Sequence, residues 1–273
     1  MPAADPTATF DRIAERYDLY AALPAQIGER LLERLDGLNF SPESILDLGC
    51  GTGLQAQRLR QQRPDARVIA LDASASMLAQ AGKRQGWWRR RFERVCARAE
   101  ALPLGDASFD LVHANLVLGW CPDWPAVLGQ LRRVLRPGGM LLVSTLGLDT
   151  LTELRQTPLA DQLLPYGLTD VQRLGSALTQ AGFSEPVLDT DWLTASYSGA
   201  ETLARELRAI GYLDSSEPAG DIADPDGFRA GGQEVTWEVV YATAWAPDEG
   251  QPIRTDRGEE ASVSISSLKV RRR

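Results

Sequence analysis

Along the first half of the chain, short continuous apolar runs alternate with amphipathic stretches. Residues 44–48, Ser-Ile-Leu-Asp-Leu, lie between Ser41-Pro42 and Gly49. A brief apolar run bounded by turn residues is the pattern of a strand buried on both faces of a parallel sheet. Similar runs predict strands over 67–72, 92–97, 109–116 and 139–146, the last after the turn Arg136-Pro-Gly-Gly139. Helical spacing predicts helices over 75–84 and 124–135, and one from the first glycine turn to about Arg63. Ahead of them, 10–20 reads as a short amphipathic helix. Residues 24–35 read as a second, with Ile27, Leu31, Leu32 and Leu35 on one face and Gly37 as its stop. Strand–helix alternation with short connections implies an open parallel sheet covered on both faces, a Rossmann-like α/β domain to about residue 146.

Beyond that point the pattern loosens. Residues 169–181 read as a helix stopped by Gly182, 187–192 and 234–245 as strands, and 201–210 as a helix. Residues 214–232 are rich in Gly, Pro, Asp and Ser and read as a loop. Residues 255–273 read as a mostly flexible polar tail, with Val263-Ser-Ile265 as a candidate edge strand. The expected organisation is a helical cap over 1–40, a domain over 41–248 with halves 41–146 and 147–248, and a tail over 249–273.

Composition narrows the class. Hydrophobic residues are 44% and charged residues 24%, which excludes a disordered or fibrous chain. The cysteines Cys50, Cys96 and Cys121 are too few and scattered for a disulfide framework, and no CxxC pair points to a metal. A reducing cytoplasm is expected. The first 20 residues lack the charged and apolar regions of a secretory signal, and no apolar run is long enough to span a membrane. Lys+Arg 29 against Asp+Glu 37 gives a net charge of −8, which argues against bulk binding to nucleic acid.

The chemistry starts at Asp47-Leu-Gly-Cys-Gly-Thr-Gly53, where glycines occupy the turn leaving the first strand. Bare backbone there lets a ligand approach closely. The second strand ends in Asp72, 19 residues beyond Gly53, where a ribose-binding carboxylate belongs. Leu54 stands where a dinucleotide-binding loop would carry its third glycine.

The run Ile45-Leu-Asp-Leu-Gly-Cys-Gly-Thr-Gly53 resembles motif I of class I S-adenosylmethionine-dependent methyltransferases. Ala99-Glu-Ala-Leu-Pro-Leu104, Ser108-Phe-Asp-Leu-Val112 and Leu135-Arg-Pro-Gly-Gly139 continue the resemblance in order. It implies a mostly parallel seven-stranded sheet with helices on both faces and an N-terminal helical cover. It further implies S-adenosyl-L-methionine as cofactor, held around Asp47, Gly49, Cys50, Gly51, Gly53, Asp72, Ala73, Met77, Ala99, Glu100 and Asn115. In this family the position of Arg98 usually carries an Asp that contacts adenine, and an arginine cannot accept that bond. Backbone near Ala99 is the alternative reader.

Further stretches resemble the malonyl-acyl-carrier-protein O-methyltransferases of biotin synthesis over about residues 8 to 270. They are Phe10-Asp-Arg-Ile-Ala-Glu-Arg-Tyr17 leading into Gly28-Glu-Arg-Leu-Leu-Glu-Arg-Leu35, residues 109–124 ending in Leu-Gly-Trp-Cys-Pro-Asp-Trp124, Leu148-Asp-Thr-Leu-Thr-Glu-Leu-Arg155, Leu207-Arg-Ala-Ile-Gly211 and Trp237-Glu-Val-Val-Tyr-Ala-Thr-Ala-Trp-Ala-Pro247. Gly119, Ala114 and the short 214–232 segment depart from that family's pattern. The resemblance implies methyl transfer to the free carboxylate of a malonyl thioester, with Tyr17, Trp120, Arg155 and Arg208 as substrate-holding candidates. A malonyl carboxylate, with a pKa of about 3–4, is already ionised at neutral pH, so no general base is required. His113, the single histidine, reads as a packed core residue. The alternatives are another small acid or lipid-like acceptor, an arginine-hydroxylating assembly factor of the same fold, and a non-catalytic protein. The implied partner, an acidic carrier protein, needs a basic face. Lys83, Arg84, Arg89, Arg90, Arg91 and Arg94, beside Trp87 and Trp88, supply a candidate patch.

Overall fold

The computed structural model describes residues 5–85, 92–155, 167–213 and 232–251, together with the backbone of 253–255 and 258–260. Seven strands form one sheet: β1 (Ser44–Leu48), β2 (Arg67–Asp72), β3 (Glu93–Cys96), β4 (Phe109–Asn115), β5 (Leu135–Leu146), β6 (Ser184–Tyr197) and β7 (Gln233–Trp245). Their order is β3-β2-β1-β4-β5-β7-β6, and β7 alone runs antiparallel to its neighbours. The order reverses between β1 and β4, which opens a crevice at the carboxyl ends of these strands.

Helices α1 (Pro6–Ile13), α2 (Ala22–Glu33), α3 (Leu54–Gln62), α4 (Ala75–Arg84), α5 (Trp124–Val134), α6 (Val171–Gln180) and α7 (Ala200–Ala209) surround the sheet. Successive strand side chains point to opposite faces, so β1 serves two cores. Ile45 packs with Leu31 of α2, Leu59 of α3 and Leu207 of α7, whereas Leu46 and Leu48 pack with Leu131 of α5 and Leu178 of α6. Burying each such side chain contributes about 1.5–3 kcal/mol. This is the expected two-sided α/β architecture.

Several boundaries differ from the expectation. The first helix ends at Ile13, and Tyr17–Leu19 form a separate 3₁₀ turn, so the cover bends instead of running straight to Tyr20. The Arg136-Pro-Gly-Gly turn lies inside β5 as a bulge, because the pairing jumps from Phe109↔Leu135 to Leu111↔Met140. Strand β6 starts earlier and ends later than the predicted 187–192. A second bulge, with Glu185 at φ +49 and Pro186 inside it, carries the strand past a residue that has no N–H. Strands β8 (Ile253–Thr255) and β9 (Gly258–Glu260) pair as a separate hairpin where a tail was expected. Residues 214–231 of the predicted 214–232 loop, and the Val263–Ile265 strand, lie outside the described residues.

The N-terminal segment is fastened to the β6 edge of the sheet and to the end of its central strand β4. Asp5 caps α1 by accepting from the Thr7 amide at 3.1 Å. On α2 Arg30 pairs with Asp191, and at its C-cap Arg34 pairs with Asp189, both partners on β6, and the Arg34 guanidinium stacks 3.9 Å over the Tyr241 ring. At the end of β4 the Asn115 amide donates to the Pro24 carbonyl at 3.0 Å, and the Gln55 amide donates to the Ala25 carbonyl at 3.2 Å. Among the described residues no helix is long and apolar enough to cross a membrane.

Candidate active site

The loop after β1 turns on three glycines with φ of +64 (Gly49), +52 (Gly51) and +79 (Gly53), a region L side chains avoid. Each is required for a different reason. A Cβ at Gly49 would lie 2.6 Å from Val117 Cγ2. One at Gly53 would lie 2.9 Å from both Ala81 Cβ and Phe92 Cζ. One at Gly51 would meet nothing within 4 Å, so this backbone faces open space. Gly53 therefore lets α3 and α4 close together and, contrary to the sequence expectation, is not part of the cleft wall.

That open space is a cleft of about 370 Å³ at the carboxyl ends of β1, β2 and β4. Asp47, Gly49, Cys50, Gly51, Asp72, Ala73, Met77, Ala99, Glu100 and Asn115 all line it, so ten of the eleven cofactor candidates converge. Asp72 Oδ2 accepts from the Gly51 amide and Oδ1 from the Ser74 amide, both at 2.8 Å. A carboxylate has about four lone-pair sites, so each oxygen keeps capacity for one further donor. Burial pushes the Asp72 carboxyl above its ordinary 3.8, against the pull of the two amides. Asp47 Oδ1 lies 2.8 Å from His113 Nδ1, while Oδ2 is buried with no partner among the described residues. Burial raises both cleft thiols, Cys50 well above its usual value and Cys121 to about 12. Neither is a thiolate nucleophile at neutral pH.

Asn115 reaches the cleft, but its amide is engaged on both sides: Nδ2 with Pro24 O at 3.0 Å and Oδ1 with Ser144 Oγ at 2.7 Å. Its visible role is to anchor α2. Arg98 lies at the cleft mouth, half-exposed, with Asp5 at 3.6 Å and Glu100 at 3.7 Å.

Of the substrate-holding candidates, Tyr17 and Trp120 line the cleft. Phe10 stacks edge-on against both, at 6.3 and 5.0 Å, and Trp120 continues to Tyr212 at 5.1 Å and from there to Trp237 at 5.6 Å. Burial raises the Tyr17 and Tyr212 phenols, with Asp72 and Asp18 adding to the effect on Tyr17. Both are neutral hydrogen-bond donors near pH 7. The two arginines are elsewhere. Arg155 is exposed and holds the Leu148 carbonyl and, at 3.8 Å, Asp149. Arg208 lies on α7, its Nε buried without a partner among the described residues, and it is not in the cleft wall. Sequence position after the core sheet did not determine which way these guanidinia point.

Other residues of the site escaped the sequence reading. Asp18 accepts from Thr52 Oγ1 at 2.6 Å and pairs with Arg84, whose Nε donates to the Thr52 carbonyl at 3.0 Å. Asp11 accepts from Ser74 Oγ at 2.6 Å and the Ser76 amide at 3.1 Å. These ties close the N-terminal cover over the glycine loop and the end of β2. Leu116, at φ +56, follows β4 and lines the cleft. No local pattern signals such contacts, which join residues 32 to 66 positions apart.

Residues 46–143 match the family model of the methyltransferase domain. A structure of Haemonchus contortus phosphoethanolamine N-methyltransferase 2 in complex with S-adenosyl-L-methionine superimposes with a TM-score of 0.53. It covers 81% of this chain and 52% of that one at 20% identity. The chain is also similar to malonyl-acyl-carrier-protein O-methyltransferases: 39% identical to that of Xylella fastidiosa, over 97% of this chain and 95% of the relative. With that of Gallionella capsiferriformans it shares 38% identity over 96% and 95%. The chain belongs to the malonyl-acyl-carrier-protein O-methyltransferase family. The cleft of this methyltransferase lies at the switch point of the sheet, lined by the glycine loop, Asp72 and aromatic side chains of the cover. Lys83 of the candidate basic patch is exposed, whereas Arg84 is drawn to Asp18 and Thr52, and Arg94 Nη1 donates to the Leu78 carbonyl at 2.6 Å. Arg89, Arg90, Arg91, Trp87 and Trp88 lie outside the described residues.

Proposed function

We propose that the cleft binds S-adenosyl-L-methionine and that this cytoplasmic enzyme methylates the free carboxylate of a malonyl group carried on acyl carrier protein, an early step of biotin synthesis. The observation that carries the reading is the pairing of bare Gly51 backbone with an Asp72 carboxylate whose two oxygens each retain capacity for a donor. That pair fits a ribose with two neighbouring hydroxyls. The buried, unmatched Asp47 Oδ2 fits an ammonium group at the other end. When bound, the cofactor supplies a methyl group on a positively charged sulfur.

The chain's own contribution is binding, orientation and exclusion of water. Asp72 takes the ribose hydroxyls, Asp47 the amino-acid end, and the Gly49–Gly51 backbone the intervening approach. Ala99 backbone reads adenine in place of the carboxylate that Arg98 cannot supply. The wall of Phe10, Trp120 and Tyr212 strips water from the acceptor, and the neutral Tyr17 hydroxyl donates to one oxygen of its carboxylate. Because the acceptor is already ionised, the single-turnover rate at saturation should be flat from about pH 6 to 8. A tenfold rise per pH unit there points instead to an amine or phenol acceptor.

The carrier protein is acidic, and the basic segment around Lys83 and Arg89–Arg91 is the proposed contact. Reversing Arg89, Arg90 and Arg91 to Glu should lower kcat/KM for the carrier-linked substrate and remove its salt dependence, with little effect on a free malonyl thioester. Equal effects on both substrates remove the segment from the contact.

A further inference from the structure

His113 sits on β4, fully buried, in register with Asp47 on β1. Its Nδ1 is 2.8 Å from Asp47 Oδ1. An ionised carboxylate oxygen only accepts, so the network assigns the hydrogen to Nδ1. His113 Nε2 is buried with no partner among the described residues, so a hydrogen there would have no acceptor. The ring is therefore the Nδ1–H tautomer, with its lone pair on Nε2 in the apolar core. Asp47 is itself 2% exposed and lines the cleft, and its second oxygen, Oδ2, is the buried one without a partner. One oxygen of this carboxylate is fixed from the core side and the other is left to be matched.

We infer that His113 is a positioning residue for cofactor binding: its Nδ1–H pins Asp47 Oδ1 so that Oδ2 is held ready for the ammonium of the cofactor's amino-acid end. The terminal torsion of an aspartate is broad, so an unpinned carboxylate samples orientations that a ligand must first freeze. A donor locked in the core removes that freedom before binding. The histidine touches no reacting atom and acts wholly through Asp47. This inference rests on the cleft being the S-adenosylmethionine site.

The test compares two ligands that share the adenosine part. S-adenosylhomocysteine carries the ammonium, and methylthioadenosine lacks the amino-acid end. Replacing the ring donor in His113→Phe should weaken S-adenosylhomocysteine about tenfold and leave methylthioadenosine unchanged by calorimetry. His113→Asn, which keeps an N–H at the matching position, should restore affinity to within about twofold. Asp47→Asn combined with His113→Phe should bind S-adenosylhomocysteine no more weakly than Asp47→Asn alone. The unsubstituted enzyme gives a second reading that does not depend on a variant folding. Its one histidine, labelled with nitrogen-15, should shift at Nδ1 on adding S-adenosylhomocysteine and stay in place with methylthioadenosine. Equal losses for both ligands, no loss for either, or an Nδ1 resonance indifferent to both overturn the inference. If the unsubstituted enzyme binds neither ligand, the cofactor reading itself fails first.

Discussion

Asp72→Ala separates the two things this carboxylate does. It anchors the Gly51 and Ser74 amides at 2.8 Å each, and in the proposed function it offers one remaining acceptor position per oxygen to a ribose. Two hydroxyl-to-carboxylate bonds contribute about 2–4 kcal/mol together, so S-adenosylhomocysteine should bind about 30- to 700-fold more weakly to the variant. The fold should respond differently. Burial holds the carboxyl above its ordinary 3.8 despite both amides, so the folded protein binds this proton more tightly than the unfolded chain does. Stability contributed by the protonated form is present at low pH and is lost as pH rises from 3.8 through the raised value, which leaves the ionised group a net cost at neutral pH. Losing that cost offsets the loss of the amide bonds. The ligand-free melting temperature at pH 7 should therefore move by only a few degrees, corresponding to about 1 kcal/mol. Calorimetry and thermal melts on the same preparations check both halves. Unchanged affinity in a folded variant removes Asp72 from the site. A large fall in stability at pH 7 refutes the assignment of the carboxylate as a group held for its ligand at the expense of the fold.

The remaining expectations follow from equally local contacts. Gly53→Ala combines φ +79 with Cβ approaches of 2.9 Å to Ala81 and Phe92 and should destabilise by about 2–4 kcal/mol in a denaturant titration, whereas a loss below about 0.5 would refute the packing role. Gly51→Ala meets no protein atom within 4 Å, so it should lower stability by only about 1–2 kcal/mol while sharply weakening S-adenosylhomocysteine; normal binding would show that no ligand lies on this backbone. Burial alone raises the Asp110 carboxyl, but bonds from Arg136, Ser44 and Glu43 outweigh it and hold the group below 3.8. Asp110→Ala should cost about 2–4 kcal/mol at neutral pH. The unsubstituted protein should lose that contribution only as pH falls below 3.8 through the lowered value, and a difference between the two proteins that persists at the most acid pH contradicts it.

The parts of the fold that the sequence discloses are those in which one physical requirement dominates. Strands β1 and β2 and helix α4 coincide with their predicted limits, since the buried stretch of an inner strand is a short, mostly apolar run and Ser74 caps α4 by accepting from Met77 at 3.0 Å. Strand β6 is less legible. It is an edge strand with alternating exposure, and the bulge at Pro186 lets it begin where a proline argues against a strand. The site divides along the same line. Asp72 and Gly51 are legible because a strand end and a glycine turn fix where backbone points. Gly53 shares the motif yet serves packing, a distinction carried by Ala81 and Phe92 at distant positions. The ties of Asp18 to Arg84 and Thr52, and the place of Tyr212 in the aromatic wall, depend on how the cover folds back over the sheet. Arg155 and Arg208 show the converse: chemically suitable side chains in the right segments that do not line the cleft, Arg155 holding the Leu148 carbonyl and Arg208 lying on α7.

This enzyme moves a methyl group onto the free carboxylate of a carrier-bound malonyl thioester. Purified enzyme, S-adenosyl-L-methionine bearing a labelled methyl group, and malonyl-acyl carrier protein would be incubated together and the carrier examined by intact and fragment mass spectrometry. The carrier should become heavier by one methylene unit, with the label on the terminal carboxyl as an ester that mild base removes. A carrier left unchanged while a free acid is methylated, or an oxygen gained on an arginine of an added protein, would contradict it.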